Sequence, residues 1–163
     1  MKLQDELSKH IAFLSDMLKK TNGMQIFDES LVIELINNAR RRMEDHRFDD
    51  AAARIYRALE LYGQICFAKK IGCPNDKVKP SKIPQDLRDE FMRKYRDSQT
   101  DMMKLPLQAT FTVLRAAGHE AGERFFVCEE KIKNIQSARN RSILAHGIQP
   151  VSERAAEDIF ATV

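Results

Sequence analysis

A short polar segment near the carboxyl end of the sequence holds the residues best suited to chemistry: Arg139, Asn140, Arg141, Ser142 and His146. A histidine titrates near neutral pH and can move a proton. An arginine presents a fixed fork of donors to phosphate oxygens, and small polar side chains can orient a phosphate or an imidazole. These residue types suit RNA cleavage, because RNA carries its own nucleophile and the catalyst need only orient, transfer a proton and stabilise charge. The alternative, and the commoner role of an arginine and a histidine near a helix end, is a structural cap or a surface ion pair.

The spacing of these residues predicts how they would meet. Arg139 and His146 are seven positions apart, so in a continuous helix they would lie within roughly 20° of the same face. Arg141 comes five positions before His146 and would converge on it only if the helix loosened near its end. Gly147 predicts such an ending. Both arginines therefore stay candidates, whereas His10, His46 and His119 are predicted to be surface or cap residues.

The charge around this segment is locally positive. No acidic residue occurs between positions 131 and 152, although the whole chain has 24 Asp and Glu residues and a net charge of only +3. Lys131 and Lys133 join the two arginines there, and we expect them to attract a phosphate-bearing ligand in a salt-dependent way. The alternative interpretation is an ordinary solvated basic face.

Composition narrows the remaining classes. No cluster of His, Cys and carboxylate residues has metal-ligand spacing, so no metal and no cofactor are predicted. The cysteines number three, an odd count that favours reduced thiols and a cytoplasmic location over a disulfide framework. No apolar run approaches the ~20 residues that a membrane helix needs.

Apolar residues recur at three- and four-residue steps along almost the whole chain, which predicts an all-α protein. We expect one domain over residues 1–163, an antiparallel bundle of about six to seven helices. Residues 72–85 contain three prolines and several lysines and are predicted to form an exposed loop. The predicted helix limits are a stop at Thr21, a cap at Ser30, a third helix from Asp49 or Asp50 to Gly72, helices from Pro84 to Asp97 and from Pro106, a long helix from Gly122 to Ala145, and a last helix capped by Ser152.

Two stretches carry a resemblance to a known family. The string from Arg139 to Gly147 resembles the Arg-x(4–6)-His signature of HEPN ribonucleases, with six residues between Arg139 and His146 and four between Arg141 and His146. Residues 38–42 and 48–64 look like the helical hairpin that precedes this signature in CRISPR-associated CARF–HEPN proteins. The resemblance spans about residues 31–150.

The resemblance implies a fold, an activity and partners. Members of that family are type III CRISPR accessory nucleases, with an amino-terminal CARF domain that senses cyclic oligoadenylate. Their HEPN domains dimerise and bring two Arg/His sets together to cut single-stranded RNA without metal. For this chain the resemblance implies a homodimer in which His146 and Arg139 or Arg141 are catalytic, with Asn140 and Ser142 supporting them.

The length of the chain leaves further alternatives open. We expect 163 residues to leave no room for a CARF domain, so the chain would be either a domain excised from a longer parent or a stand-alone HEPN protein. Residues 1–25 would then be a helix derived from a linker. Two other functions stay open. One is a tetratricopeptide-like adaptor, since residues 39–64 resemble one such hairpin, although no second copy is found. The other is a non-catalytic HEPN dimerisation module.

Overall fold

This computed structural model describes residues 2–21, 28–142 and 147–161. In the first of these ranges it describes side chains only for residues 4–16. The regular structure of the described residues is helical. No β-strand occurs in these ranges; Met103 makes isolated bridges to Val78 and Arg96. The predicted all-α class is therefore confirmed. The helices described are α1 (Lys2–Thr21), α2 (Glu29–Glu44), α3 (Phe48–Ile71), α4 (Gln85–Tyr95), α5 (Leu107–Ala116), α6 (Glu120–Val127), α7 (Glu129–Arg141) and α8 (Glu153–Phe160).

α3 lies at the centre of the bundle, where it packs against α2, α5, α7 and α8, and α2 and α3 form a hairpin. His46 turns the chain with a positive φ of 56°, a conformation that one non-glycine residue in a tight turn can adopt. α3 ends where predicted, at Gly72, whose left-handed φ of 76° suits a helix carboxyl end. The predicted cap at Ser30 is wrong. Asp28 caps α2 instead, accepting the Ser30 N–H at 3.3 Å, because its carboxylate stands one position before the first helical residue.

A core rich in phenylalanine, named here the aromatic core, surrounds the carboxyl half of α3. Phe111 of α5 stacks on Phe125 of α6 with ring centroids 4.3 Å apart. Stacked rings of this kind add to the free energy gained by burying them. The buried members of the aromatic core are Cys66, Phe67, Val78, Ile83, Phe91, Met103, Leu105, Ala109, Phe111, Val113, Leu114, Ala121, Phe125 and Ile132.

A second core, named here the alanine core, lies against the amino half of α3. Small residues let α2, α3 and α8 approach one another closely, and Ile135 of α7 packs between them. Ser152 caps α8, as predicted, by accepting the Ala155 N–H at 3.3 Å. The buried members are Ala39, Ala52, Ile55, Tyr56, Ile135, Val151, Ala156 and Ile159.

The segment 72–85 is largely exposed, as its prolines and lysines predict, but two of its apolar residues are buried. Val78 and Ile83 are buried in the aromatic core, and Val78 exchanges two backbone hydrogen bonds with Met103, at 3.0 and 2.9 Å. Single apolar residues between lysines have no periodicity, so the sequence pattern does not reveal their burial. The flanking lysines, for example Lys77 and Lys79, remain exposed, as charged groups near a surface do.

The long helix predicted from Gly122 to Ala145 is also wrong. The helix is interrupted at Cys128, which is the C-cap residue of α6 and the N-cap residue of α7. The break lets α6 place Phe125 in the aromatic core while α7 carries Ile135 into the alanine core. α7 then ends at Arg141, because Ser142 has the extended backbone of a C-cap residue, with ψ at 154°.

The amino-terminal helix α1 agrees with the predicted limit at Thr21. Its apolar stripe is exposed at Leu7, Ile11 and Leu14. No helix in the described part of the chain is both long and apolar enough to cross a membrane.

Candidate active site

The last turn of α7 carries three of the predicted site residues, Arg139, Asn140 and Arg141. Arg139 lies with its guanidinium carbon 5.3 Å from the centre of the Tyr56 ring, a cation–π distance. Its Nη1 also donates to Asn140 Oδ1 at 3.0 Å. The guanidinium of Arg139 is therefore held from two sides, by α3 and by its own helix.

Tyr56 supports this contact from within the alanine core, where its residue is only 8% exposed. Burial raises the pKa of the Tyr56 phenol above its ordinary value; Glu60 adds to the rise and Arg139 opposes it. A raised pKa keeps the phenol neutral at physiological pH. The contact with Arg139 is thus between a cation and a ring face, not between a cation and a phenolate.

Arg141 differs from Arg139 in its surroundings. Its side chain is exposed at the surface of α7, and its Nε reaches the Ser137 carbonyl only at 3.4 Å, a long hydrogen bond. Ser142, by contrast, is 1% exposed and its N–H donates to Arg139 O at 3.1 Å. Ser142 is therefore the buried C-cap residue of α7.

The chain returns from this helix end through residues 147–151, named here the return segment. Gly147 N–H donates to Ser142 O at 3.1 Å, and Gln149 N–H donates to Arg141 O at 3.1 Å. A Cβ added to Gly147 would overlap the Arg141 carbonyl, so this approach requires glycine. Ile148, between the two donors, is 89% exposed.

The predicted RNA-binding lysines lie on the same helix. Lys131 and Lys133 are both exposed, and Lys133 Nζ pairs with Glu129 Oε1 at 2.8 Å, one helical turn earlier. An exposed pair of this kind is weak. An open groove on α7, lined by Lys133, Gln136, Ser137, Asn140 and Arg141, leads from this lysine to the arginine end of the helix.

The predicted catalytic histidine, His146, lies outside the described residues, as do residues 143–145. The prediction that one continuous helix carries both Arg139 and His146 is wrong, because helical geometry stops at Arg141. Within the ranges that the structure describes, no three His, Cys, Asp or Glu side chains are grouped so as to hold a metal ion.

Comparison with known families decides the affiliation of this chain. A family model described as the Csm6 HEPN domain matches residues 9–163. The chain belongs to the Csm6 HEPN domain family. Searches of curated proteins and of solved structures found no match. The resemblance drawn from the signature and the hairpin is thus confirmed at the level of the family, which is CRISPR-associated and whose HEPN domains are generally ribonucleases.

Two residues of this Csm6 HEPN domain that were not predicted as site residues contact the end of α7 or the return segment. Tyr56 is a core residue whose ring also holds Arg139. Asp49 was predicted only as a helix start, yet its Oδ1 accepts the Val151 N–H at 3.2 Å. Neither role has a signal in one sequence, because both contacts join segments that are far apart along the chain.

Proposed function

We propose that this domain is a metal-independent endoribonuclease that cuts single-stranded RNA in type III CRISPR antiviral defence. His146 transfers the proton, and an arginine at the end of α7 steadies the scissile phosphate. The observation that carries the proposal is the pair of arginines in the last turn of α7, beside a shallow depression lined by polar residues, in a member of the Csm6 HEPN family. The acid-free stretch 131–152 favours a polyanionic substrate there.

The contacts of the two arginines favour different roles. Arg139 is oriented by Tyr56 and Asn140, and a donor that is oriented before the reaction stabilises developing charge without reorganising. Arg141 is exposed on the same turn, and among the described residues no aromatic ring supports it as Tyr56 supports Arg139. We assign charge stabilisation to Arg139 and a salt-dependent contact with the RNA backbone to Arg141.

The deciding experiment compares point variants at high enzyme concentration with a labelled single-stranded RNA. His146→Ala should lower the cleavage rate by about 10²–10⁴, the usual cost of losing a proton-transfer group. Arg139→Ala should cost about 10²–10³, whereas Arg141→Ala should mainly weaken binding at raised salt. His10→Ala and Arg93→Ala, at exposed positions on α1 and α4, serve as matched controls and should cut like the parent.

Substrate and metal requirements are tested in the same assay. DNA of the same sequence should resist cleavage, because it lacks the 2′-hydroxyl. A chelator should leave the rate unchanged. Parental cleavage by His146→Ala, or loss of activity on chelation, would contradict the mechanism. If the parent and all variants fold and self-associate normally but none of them cleaves RNA, the result would favour the non-catalytic dimerisation module.

We further propose that the active form is a homodimer with one composite site. Ile148, which is exposed next to the arginine end of α7, is a candidate contact with a second subunit, because burial there would remove its apolar surface from water. Light scattering should give a dimer mass at micromolar concentration. Mixing His146→Ala with equal parent should leave about a quarter of the activity if both subunits are needed and exchange freely, but about half if each acts alone. A strictly monomeric active enzyme would contradict this arrangement.

A further inference from the structure

The α2–α3 hairpin contains an acidic residue, Asp49, whose contact reaches far along the chain. Asp49 stands in the first turn of α3 and is partly buried. Its Oδ1 accepts the Val151 N–H at 3.2 Å, over a separation of 102 residues. Its neighbour Asp50, in the same turn, pairs instead with Arg47. Two adjacent acidic residues therefore have different partners, one local and one at the return segment.

The return segment donates alternate N–H groups to two parts of the molecule. Gly147 and Gln149 donate to the carbonyl oxygens of Ser142 and Arg141, at the end of α7. Val151 donates to Asp49, and its side chain is buried in the alanine core. The end of α7 is thus joined through residues 147–151 to the first turn of α3.

We infer that Asp49 is a positioning residue for the arginine end of α7, acting through the return segment. The Asp49 carboxylate fixes Val151, and residues 147–149 transmit that position to the carbonyls of Arg141 and Ser142. Tyr56, two turns further along α3, meets Arg139. α3 therefore holds the arginine end of α7 at two points. This inference rests on the proposed function, because its kinetic consequence requires RNA cleavage by this domain.

The position of the acceptor atom is what the Asp49 contact provides, so a neutral side chain that keeps the acceptor should suffice. An asparagine at this position retains an oxygen able to accept the Val151 N–H. An alanine does not, and it leaves a partly buried N–H without its partner. A displacement of about 1 Å at a catalytic group can cost up to 10²-fold in rate.

The experiment measures kcat and KM for RNA cleavage in Asp49→Ala, Asp49→Asn and Asp50→Ala. We expect Asp49→Ala to lower kcat about tenfold with KM within about twofold, and Asp49→Asn to restore kcat. Asp50→Ala removes a charge from the same helix turn and should cut like the parent. Parental kcat in Asp49→Ala, or an equal fall in Asp50→Ala, overturns the positioning role.

A second measurement follows the contact directly. The Val151 amide should exchange with solvent at least about tenfold faster in Asp49→Ala than in the parent or in Asp49→Asn. Unchanged exchange overturns the inference. If Asp49→Ala does not fold, Asp49→Glu takes its place, since it keeps the charge and moves the acceptor by one methylene; parental kcat and exchange in that variant likewise overturn it.

The His146→Ala variant separates the two proposals. If His146→Ala abolishes cleavage while Asp49→Ala does not alter kcat, the positioning role falls and the proposed function stands. If His146→Ala cuts RNA as fast as the parent, the proposed function falls, and this inference falls with it.

Discussion

The two cores of the domain, the aromatic core and the alanine core, differ in the role of their buried side chains. The aromatic core is built from large rings that make close contacts with one another, such as Phe111 on Phe125. The alanine core has three alanines among its eight buried residues, and its buried aromatic ring, Tyr56, faces the guanidinium of Arg139 at the end of α7. One core therefore provides most of the apolar burial, and the other brings α2, α3, α7 and α8 close enough to orient polar groups. Stability and chemistry are divided between the two halves of α3.

The largest expected effect separates stability from activity. Phe111→Ala removes a ring that is 1% exposed and should lower the free energy of unfolding by about 3–5 kcal/mol, measured by urea denaturation. RNA cleavage per folded molecule should remain near parental. Val127→Ala, at a position 85% exposed, is the matched apolar control and should change stability by less than about 0.5 kcal/mol. A large fall in kcat at temperatures where Phe111→Ala is folded would show that the division between the cores is wrong.

The next effect reverses that pattern at Gly147. Gly147→Ala puts a methyl group against the Arg141 carbonyl, so the return segment must move away from the helix end. We expect a loss of up to about 10²-fold in cleavage rate, with a smaller change in thermal unfolding.

Gly118 provides the control for this substitution. A Cβ at Gly118 meets nothing within 4 Å, but its φ is +68°, so Gly118→Ala should cost about 1 kcal/mol in stability through backbone strain. Its cleavage rate should be parental. Equal kinetic losses in the two glycine variants would indicate a general loss of folding and not a local displacement.

The smallest effect concerns the ring beneath Arg139. Tyr56→Phe keeps the ring face and should retain near-parental kcat. Tyr56→Leu removes the cation–π contact, worth about 0.5–1 kcal/mol, and should lower kcat about two- to fivefold. In the Arg139→Ala background, Tyr56→Leu should add no further loss of kcat, because the partner is already absent. Additive losses would show that Tyr56 acts through packing alone.

The parts of the fold that could be predicted from sequence are those with local causes. Gly72 ends α3 and Ser152 caps α8 because of their own backbone and side-chain chemistry. The burial of Val78 and Ile83 and the break at Cys128 were not predictable in this way. They depend on which distant surface each segment meets, and no apolar period marks that.

The candidate site shows the same distinction. The signature string identified Arg139 and Arg141, and both lie at the end of α7. Their surroundings differ: Arg139 contacts the Tyr56 ring of α3, whereas Arg141 contacts the Ser137 carbonyl of its own helix. The regular spacing of Arg139 and His146 suggested one helical face, but an extended residue, Ser142, ends the helix between them. The roles of His146, Lys131 and Lys133 stay predictions.

The contact between Asp49 and Val151 also bears on the order in which the domain folds. The α2–α3 hairpin requires only a three-residue turn, 45–47, so its contacts are local and should form early. The contact at Val151 closes a loop of 102 residues, and that closure carries an entropic cost that must be met before α8 can pack. The arginine end of α7 is therefore expected to be assembled late in folding. For a chain made from its amino end, any nuclease activity would appear only after α8 has left the ribosome.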